Sequence, residues 1–194
     1  MSMVGIDARA RALEALAGEI AACHGCELAA TRTKTVPGTG TGSSGICVVG
    51  EAPGAREDQV GEPFVGRSGQ LLDRLLDEEL GLTRSEIAIV NVVKCRPPAN
   101  RAPKPAEVSA CGGFLERQLE VLSPGVIVTL GNVATRLLLR TTEGITTLRG
   151  KTFPYGSTVV VPTFHPAAAL RGGADILASM RADLVRAKEV AQCS

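Results

Sequence analysis

The stretch ICVVGEAPGARED (residues 46–58) decides how the rest of this chain is interpreted. It begins with a continuous apolar run, which is typical of a strand buried on both faces of a sheet. The run ends at Gly50, and Pro53, Gly54 and a group of charged side chains follow, which predicts a turn from a strand into a helix. These residues leave three interpretations open: a phosphate loop, an acid–base site, or a purely structural turn.

Apolar runs of the same kind recur along the chain and alternate with helical patterns. Three more strands are predicted at 86–95, 125–131 and 158–164. Helices are predicted at 7–22, 69–81, 104–122, 132–140 and 175–191. This alternation predicts an α/β fold, a three-layer α/β/α sandwich with a central, mainly parallel, four-stranded sheet.

Polar or glycine-rich stretches follow each predicted strand. They are GEAPG (50–54), NVVKC (91–95), LGNVA (130–134) and FHPAA (164–168). Ligands of open parallel sheets bind beyond the carboxyl ends of the strands, so these four stretches are expected to form one site.

Length and composition describe an ordinary globular chain. With 194 residues, the sequence predicts a single domain over residues 1–194. The pattern of a membrane span or a secretory signal is not found, so a cytoplasmic protein is expected. The charge is balanced, with 21 Lys and Arg against 20 Asp and Glu. This balance does not indicate nucleic-acid binding, but the basic stretch KCRPPANRAPK (94–104) shows that a local patch is available.

Four of the six cysteines have the spacing of a ligand set, one C-x2-C pair and two single residues: Cys23, Cys26, Cys95 and Cys111. Four thiolates can hold a [4Fe–4S] cluster or a structural zinc ion. Zinc sites more often use two close pairs, so the single pair favours iron–sulfur. The alternative is that the last two are small buried residues. Cys47, in an apolar strand, and Cys193, in the tail, fit no ligand role.

Six motifs occur in the order and approximate spacing of a known family: CHGC, GEAPGARED, GEPFVGRSGQLLD, NVVKCRPPANRAPKPAEVSAC, TLGNVA and FHPAAAL. On these motifs the chain resembles the family 4 uracil-DNA glycosylases, from about residue 23 to residue 170. The resemblance implies an α/β/α sandwich that hydrolyses the N-glycosidic bond of deoxyuridine in DNA, releasing uracil and leaving an abasic site in base-excision repair. It also implies a mainly structural [4Fe–4S] cluster held by the four cysteines named above, and uracil-containing DNA as the partner of a monomer.

The resemblance assigns the catalytic roles to two residues. Glu51 is expected to position or activate the attacking water, or to stabilise the cationic sugar. His165 is expected to donate a hydrogen bond to uracil O2 as negative charge develops there. Gly50 and Ala52 are expected to line the uracil pocket, and Ala52 stands where other uracil-glycosylase families have an aspartate.

Substrate recognition is assigned to an amide and an aromatic ring. Asn91 can pair with both O4 and N3–H of uracil, whereas cytosine presents the opposite pattern at those atoms. Phe64 resembles the residue that stacks on the extruded base, although a simple core phenylalanine is the alternative. Glu57 and Asp58 are further acidic candidates, or they cap a helix N-terminus.

Contacts with DNA are expected from two stretches. Arg96 and Arg101 are candidates for phosphate contacts. The stretch HPAAALRGG (165–173) resembles a loop that enters the minor groove, with Leu170 or Arg171 as the wedge. In TLGNVA, Gly131 is expected to pack closely against backbone or the pocket, and Asn132 to line the pocket or to cap a helix.

Two other classes of function remain compatible with these residues. One is a non-catalytic iron–sulfur DNA-binding module, and the other is a nucleotide-binding protein that uses GEAPG as a phosphate loop. The latter lacks both G-x-x-x-x-G-K-[ST] and G-x-G-x-x-G. Within the glycosylase class, a shifted preference for hypoxanthine or xanthine is a further alternative.

Overall fold

The structure of the protein is a computed structural model that describes residues 3–192. Cys193, expected to be an ordinary tail residue, lies outside the described residues. In the described part of the chain, no helix has the length and apolar character needed to cross a membrane.

Five strands form one sheet in the order β2–β1–β3–β5–β4. They are β1 (Ile46–Gly50), β2 (Ala88–Asn91), β3 (Val126–Leu130), β4 (Phe153–Tyr155) and β5 (Thr158–Thr163). The first, second, third and fifth are parallel, and β4 runs antiparallel to β5 at the edge of the sheet.

Eight α-helices surround the sheet. They are α1 (Met3–Ala21), α2 (Ala55–Val60), α3 (Arg67–Leu75), α4 (Pro105–Leu122), α5 (Asn132–Leu139), α6 (Ile145–Leu148), α7 (Pro166–Gly172) and α8 (Ala174–Gln192). A π-helical turn, Leu76–Leu80, extends α3, and short 3-10 turns occur at Glu27–Ala30 and Pro98–Asn100. These counts refer to residues 3–192.

The two faces of the sheet carry separate hydrophobic clusters, which explains the three layers. Ile46 and Val48 of β1 pack with the leucines of α3 and with Met180 and Leu184 of α8. Cys47 and Val49, which point to the other face, pack with the apolar residues of α4 and α5. The expected α/β/α sandwich is therefore confirmed, and Cys47 is a core residue.

The expected number of four strands is wrong. The additional strand, β4, has three residues that are exposed or half-buried, so it lacks the apolar run that predicts the others. Its central Pro154 cannot donate to a ladder and is tolerated because β4 is an edge strand. The second strand is also shorter than the predicted range of 86–95, since the sheet pairing ends at Asn91.

Residues 166–172 form a helix, although HPAAALRGG was expected to be a loop. Proline suits the first turn of a helix, where its missing N–H is not needed. The preceding His165 caps this turn, because its side chain accepts a hydrogen bond from Ala167 N. Leu170 and Arg171 therefore lie in the last turn of α7.

One buried ion pair connects α8 with the segment before β4. Asp183 is completely buried and accepts hydrogen bonds from Arg149 Nε at 3.0 Å and Arg149 Nη2 at 2.9 Å. The backbone N–H of Gly150 adds a third bond at 3.1 Å. Removing one member of such a pair leaves the other charge without its partner.

We therefore expect Asp183→Ala to lower the free energy of unfolding by about 3 kcal/mol, measured by urea denaturation. Asp175→Ala is the matched control, because this carboxylate is exposed in the first turn of the same helix. The control should cost about 0.5 kcal/mol. Equal midpoints for the two variants would contradict the stabilising role of the pair.

Candidate active site and cysteine cavity

A cleft of about 750 Å³ opens at the carboxyl ends of β1 and β2 and beside the residues that follow β5. It brings together seven of the residues that the sequence singled out: Glu51, Ala52, Phe64, Asn91, Arg101, His165 and Arg171. Arg96 and Leu170 do not line it. The expectation that ligand-binding residues gather at this edge of the sheet agrees with this arrangement.

Gly50 forms the base of the cleft, and its lack of a side chain determines what can approach. A Cβ atom at this position would overlap Asn91 Oδ1 and would lie 2.7 Å from two carbons of the Phe64 ring. The ring and the amide therefore converge above Gly50 because nothing separates them there.

Asn91 ends β2 and is only 2% exposed. Among the side-chain atoms of the described residues, its Oδ1 and Thr163 Oγ1 are buried without a hydrogen-bond partner. A buried acceptor without a donor costs about 1–3 kcal/mol, and a ligand N–H in the cleft would supply the missing donor.

Phe64 is both a core residue and a wall of the cleft. It is 6% exposed and belongs to the cluster that packs against α3 and α8. Its ring centroid lies 5.6 Å from that of His165, with 31° between the ring planes. Its backbone φ of 54° is in the left-handed region, which is unusual for a bulky residue. The two interpretations of Phe64 thus describe the same residue.

His165 follows β5 and is oriented by the start of α7. Its Nδ1 accepts a hydrogen bond from Ala167 N at 3.1 Å, so in the neutral ring the proton is on Nε2. Burial, together with the positive charge of Arg171, lowers the pKa of His165 to about 4, against a smaller opposing effect of Glu57. The imidazole is therefore neutral at pH 7 and presents Nε2–H as a donor.

The two residues of the LGNVA stretch have different roles. Gly131 has φ of +85°, and a Cβ there would lie 3.3 Å from His165 Cβ, so the expected close backbone packing is present. Asn132 Oδ1 accepts a hydrogen bond from Ile145 N at 2.8 Å, at the start of α6. Asn132 therefore neither caps α5 nor lines the cleft.

The acidic residues of GEAPGARED divide into one cleft residue and two structural ones. Glu51 is half-buried on the cleft wall, and burial raises the pKa of its carboxyl group. Glu57 Oε1 accepts hydrogen bonds from Val65 N and Gly66 N, both at 2.9 Å. Asp58 Oδ1 accepts from Thr33 N at 2.9 Å. The last two carboxylates hold backbone, which leaves Glu51 as the acidic candidate.

The arginines predicted to contact DNA differ in how free they are. Arg101 makes two hydrogen bonds to Glu107, at 2.9 and 2.6 Å, and these bonds hold the pKa of Glu107 at about 2. Arg96 Nε donates to Asn100 Oδ1 at 2.7 Å, and Asn100 lines the cleft. Arg171 is exposed at the end of α7.

Two further arginines line the cleft, and the sequence analysis did not identify them. Arg56 and Arg67 lie in the first turns of α2 and α3. Their position at the starts of two helices that face the cleft, inside quoted motifs, is the signal that could have identified them. Leu170 is 42% exposed outside the cleft wall.

A separate small cavity is lined by all four cysteines of the predicted ligand set. Each cysteine within the described residues is free of disulfide bonds. Cys95 Sγ accepts a hydrogen bond from Arg32 Nη1 at 3.4 Å, and Cys111 Sγ accepts one from Lys94 N at 3.3 Å. Burial raises the pKa of both thiols, while these donors act in the opposite direction.

The donor set of this cavity fits a thiolate-ligated group. Four sulfurs face one space, and N–H donors and a guanidinium favour their charged form. In residues 3–192, no three His, Cys, Asp or Glu side chains are grouped as a site for a metal ion. The four cysteines are thus brought to one cavity without being arranged around a single point.

A buried lysine connects this cavity with the cleft. Lys94 is 1% exposed, and its Nζ donates to Asn91 O and to Gln118 Oε1, both at 2.5 Å. Burial lowers the pKa of Lys94 to about 8. The sequence analysis missed Lys94, although a charged residue inside the apolar run NVVKC is a visible signal.

The fold and the cleft define a class of enzyme-like α/β proteins to which known families can be compared. The family model described as the uracil DNA glycosylase superfamily matches residues 37–187. The chain therefore belongs to this superfamily.

Its curated relatives specify the branch. A type-4 uracil-DNA glycosylase of Sulfurisphaera tokodaii is 44% identical over 166 residues, covering 81% of this chain and 76% of the relative. The type-4 enzyme of Saccharolobus solfataricus is 45% identical, covering 81% and 77%. That of Thermotoga maritima is 44% identical over 165 residues, covering 84% and 85%. The chain belongs to the type-4 uracil-DNA glycosylases.

The neutral state of His165 can be tested by NMR titration of the imidazole nitrogens. We expect a midpoint near pH 4, with the proton on Nε2 above it, because burial disfavours the charged ring. His165→Gln identifies the signals. A midpoint near 6.5, the ordinary histidine value, would contradict the proposed environment.

The same shift predicts how stability depends on pH. In the unfolded chain His165 takes up its proton near pH 6.5, whereas in the folded chain it does so near pH 4. The free energy of unfolding should therefore fall as the pH drops through this window. His165→Gln should fall less steeply over the same range, measured by urea denaturation at each pH.

Proposed function

We propose that this chain hydrolyses the N-glycosidic bond of deoxyuridine in DNA, releasing uracil and leaving an abasic site. The observation that carries the proposal is the unpartnered Asn91 Oδ1, buried beside Phe64 at the base of a cleft that His165 also lines. Membership of the type-4 family supports it.

Recognition of uracil would rest on Asn91. Its Oδ1 accepts from N3–H of the base, and its amide N–H donates to O4. Cytosine offers an acceptor and a donor at the matching positions, so the same amide would face two mismatched groups. Burial increases this discrimination, because an unpaired polar group inside a protein is costly.

Bond cleavage requires stabilisation of charge at both ends of the breaking bond. Negative charge develops on the departing base, and the neutral His165 donates from Nε2 toward O2 without first losing a proton. Positive charge develops on the sugar, and Glu51 is the carboxylate at the base of the cleft. Glu51 accepts a proton from the attacking water, stabilises the sugar cation, or does both.

The base must leave the duplex before any of these contacts form. Phe64 would then stack on it, a contact that contributes about 1–3 kcal/mol. Basic residues at the cleft would hold the flanking phosphates, with Arg171, Arg56 and Arg67 more available than the paired Arg101. Leu170 is placed as the wedge by its exposure in the last turn of α7. We propose that one domain, residues 1–194, does this as a monomer.

We also propose that Cys23, Cys26, Cys95 and Cys111 hold a [4Fe–4S] cluster. When bound, the cluster would serve as a structural cross-link between the end of α1, the end of the NVVKC stretch and α4. Three separated parts of the chain would then be fixed by one group, which is the usual effect of a structural metal centre. Arg32 and the Lys94 amide would donate to the sulfurs.

The activity is tested with oligonucleotides that contain one deoxyuridine, followed by alkaline cleavage at abasic sites. We expect scission with uracil, and none with a matched thymine strand. Failure to cut the uracil strand would refute the glycosylase activity. Scission with hypoxanthine or xanthine alone would indicate the shifted base preference, and DNA binding without scission would indicate a non-catalytic module.

His165→Ala should reduce the single-turnover rate by about 10²–10³-fold, since one donor to a developing negative charge is lost. Affinity for the uracil-containing strand, measured by fluorescence anisotropy, should change by less than about threefold, because the removed interaction strengthens only in the transition state. Equal losses of rate and affinity would show that His165 only binds DNA.

The cysteine site is tested by comparing Cys95→Ala with Cys47→Ala. Both thiols are buried, but only Cys95 lines the cavity. We expect purified wild-type protein and Cys47→Ala to contain iron and sulfide with visible absorbance, and Cys95→Ala to lose them and to unfold at a lower temperature. Equal iron contents in the two variants, or zinc in the wild type, would overturn the assignment.

A further inference from the structure

The turn that carries Phe64 is held from two sides by charged side chains. On one side, Glu57 accepts from the N–H groups of Val65 and Gly66. On the other, Arg84 Nη1 donates to Phe64 O at 3.1 Å, and Arg84 Nη2 donates to Pro63 O. Four consecutive peptide groups are therefore fixed, two through their carbonyls and two through their N–H groups.

Arg84 is itself oriented by a carboxylate. Its Nη1 also contacts Asp73 Oδ1 of α3 at 2.9 Å. The Arg84 side chain is 24% exposed, and it does not line the cleft. It reaches the turn from the segment that precedes β2, on the side away from the bound base. Any effect of Arg84 on the cleft must therefore pass through Phe64.

Phe64 needs this support. Its left-handed φ of 54° is unfavourable for a bulky residue and persists only where the surroundings hold it. Gly69 of α3 contributes, since a side chain there would overlap the Phe64 carbonyl group. The direction of the ring, and so its distance from His165, depends on this backbone conformation.

We propose that Arg84 is a positioning residue for the extruded base, acting through the carbonyls of Pro63 and Phe64 to hold the Phe64 ring over Gly50 and opposite His165. This inference rests on the proposed function. Arg84 makes no contact with the base or with the attacking water. It limits how far the ring can move, and thereby sets how well the base is stacked when the bond breaks.

The test is a double-mutant cycle in single-turnover excision of uracil, with Arg84→Met and Phe64→Ala alone and combined. We expect Arg84→Met to lower the rate by about tenfold, since part of the stacking contribution is lost. In the Phe64→Ala background, the same substitution should change the rate by less than about twofold. Affinity for undamaged DNA should stay unchanged. Arg84→Lys, which can still reach a carbonyl, should recover part of the rate.

Arg74→Met is the matched control. Arg74 lies on α3, is 54% exposed and contacts only Glu78 at 3.9 Å. Its substitution should leave the rate at the wild-type level. Asp73→Asn gives a second route to the same conclusion if Arg84→Met does not fold, and thermal unfolding identifies that case. The rate loss of Asp73→Asn should be smaller than that expected for Arg84→Met and should also disappear in the Phe64→Ala background.

Two results would overturn the inference: a wild-type rate in Arg84→Met, or an equal rate loss with and without the Phe64 ring. The second result would mean that Arg84 supports the fold in general. Failure of the unsubstituted chain to release uracil would instead refute the proposed function, so the two failures are distinguishable.

Discussion

The close approach of Phe64 and Asn91 over Gly50 is the contact on which the cleft depends. A strand that ends in glycine leaves room for an aromatic ring and an amide at the same point, and a single methyl group would separate them. The remaining features follow from this geometry. His165 faces the ring because β5 ends two strands away from β1, and Gly131 lets the His165 backbone come close. Glu51 is the next residue of the chain after Gly50. The site is thus built from strand ends, whose positions the sheet fixes.

Burial gives these polar groups their chemical character. It keeps His165 neutral, raises the pKa of Glu51 and leaves Asn91 Oδ1 without a partner. Each effect has a cost for the folded protein, since a polar group inside a protein is stable only when it is paired. The cost falls when a base with complementary donors and acceptors enters. Because water-filled sites lack this property, the same side chains on an open surface would distinguish uracil from cytosine much less well.

The sequence predicts those parts of the fold that have a repeating pattern. Four apolar runs and the spacing of leucines are enough for the three layers, because burial on both faces leaves a clear signature. Strand β4 and helix α7 were missed or misassigned, since a three-residue edge strand and a short alanine-rich helix carry no such pattern. The cleft residues could be predicted because they follow strands directly. Arg84 and Arg32 could not, since a surface arginine and a supporting arginine look the same in one sequence.

The cysteine cavity and the cleft are linked through the end of β2. Asn91 ends the strand, Lys94 comes three residues later, and Cys95 follows at once, so one short segment serves both sites. Lys94 strengthens this link, because its ammonium group bonds Asn91 O while its backbone N–H bonds Cys111 Sγ. A completely buried lysine is rarely retained without partners of this kind. Fixing the cysteines therefore restricts the backbone of Asn91. In this way, a group with no part in bond cleavage can still determine how accurately the base is recognised.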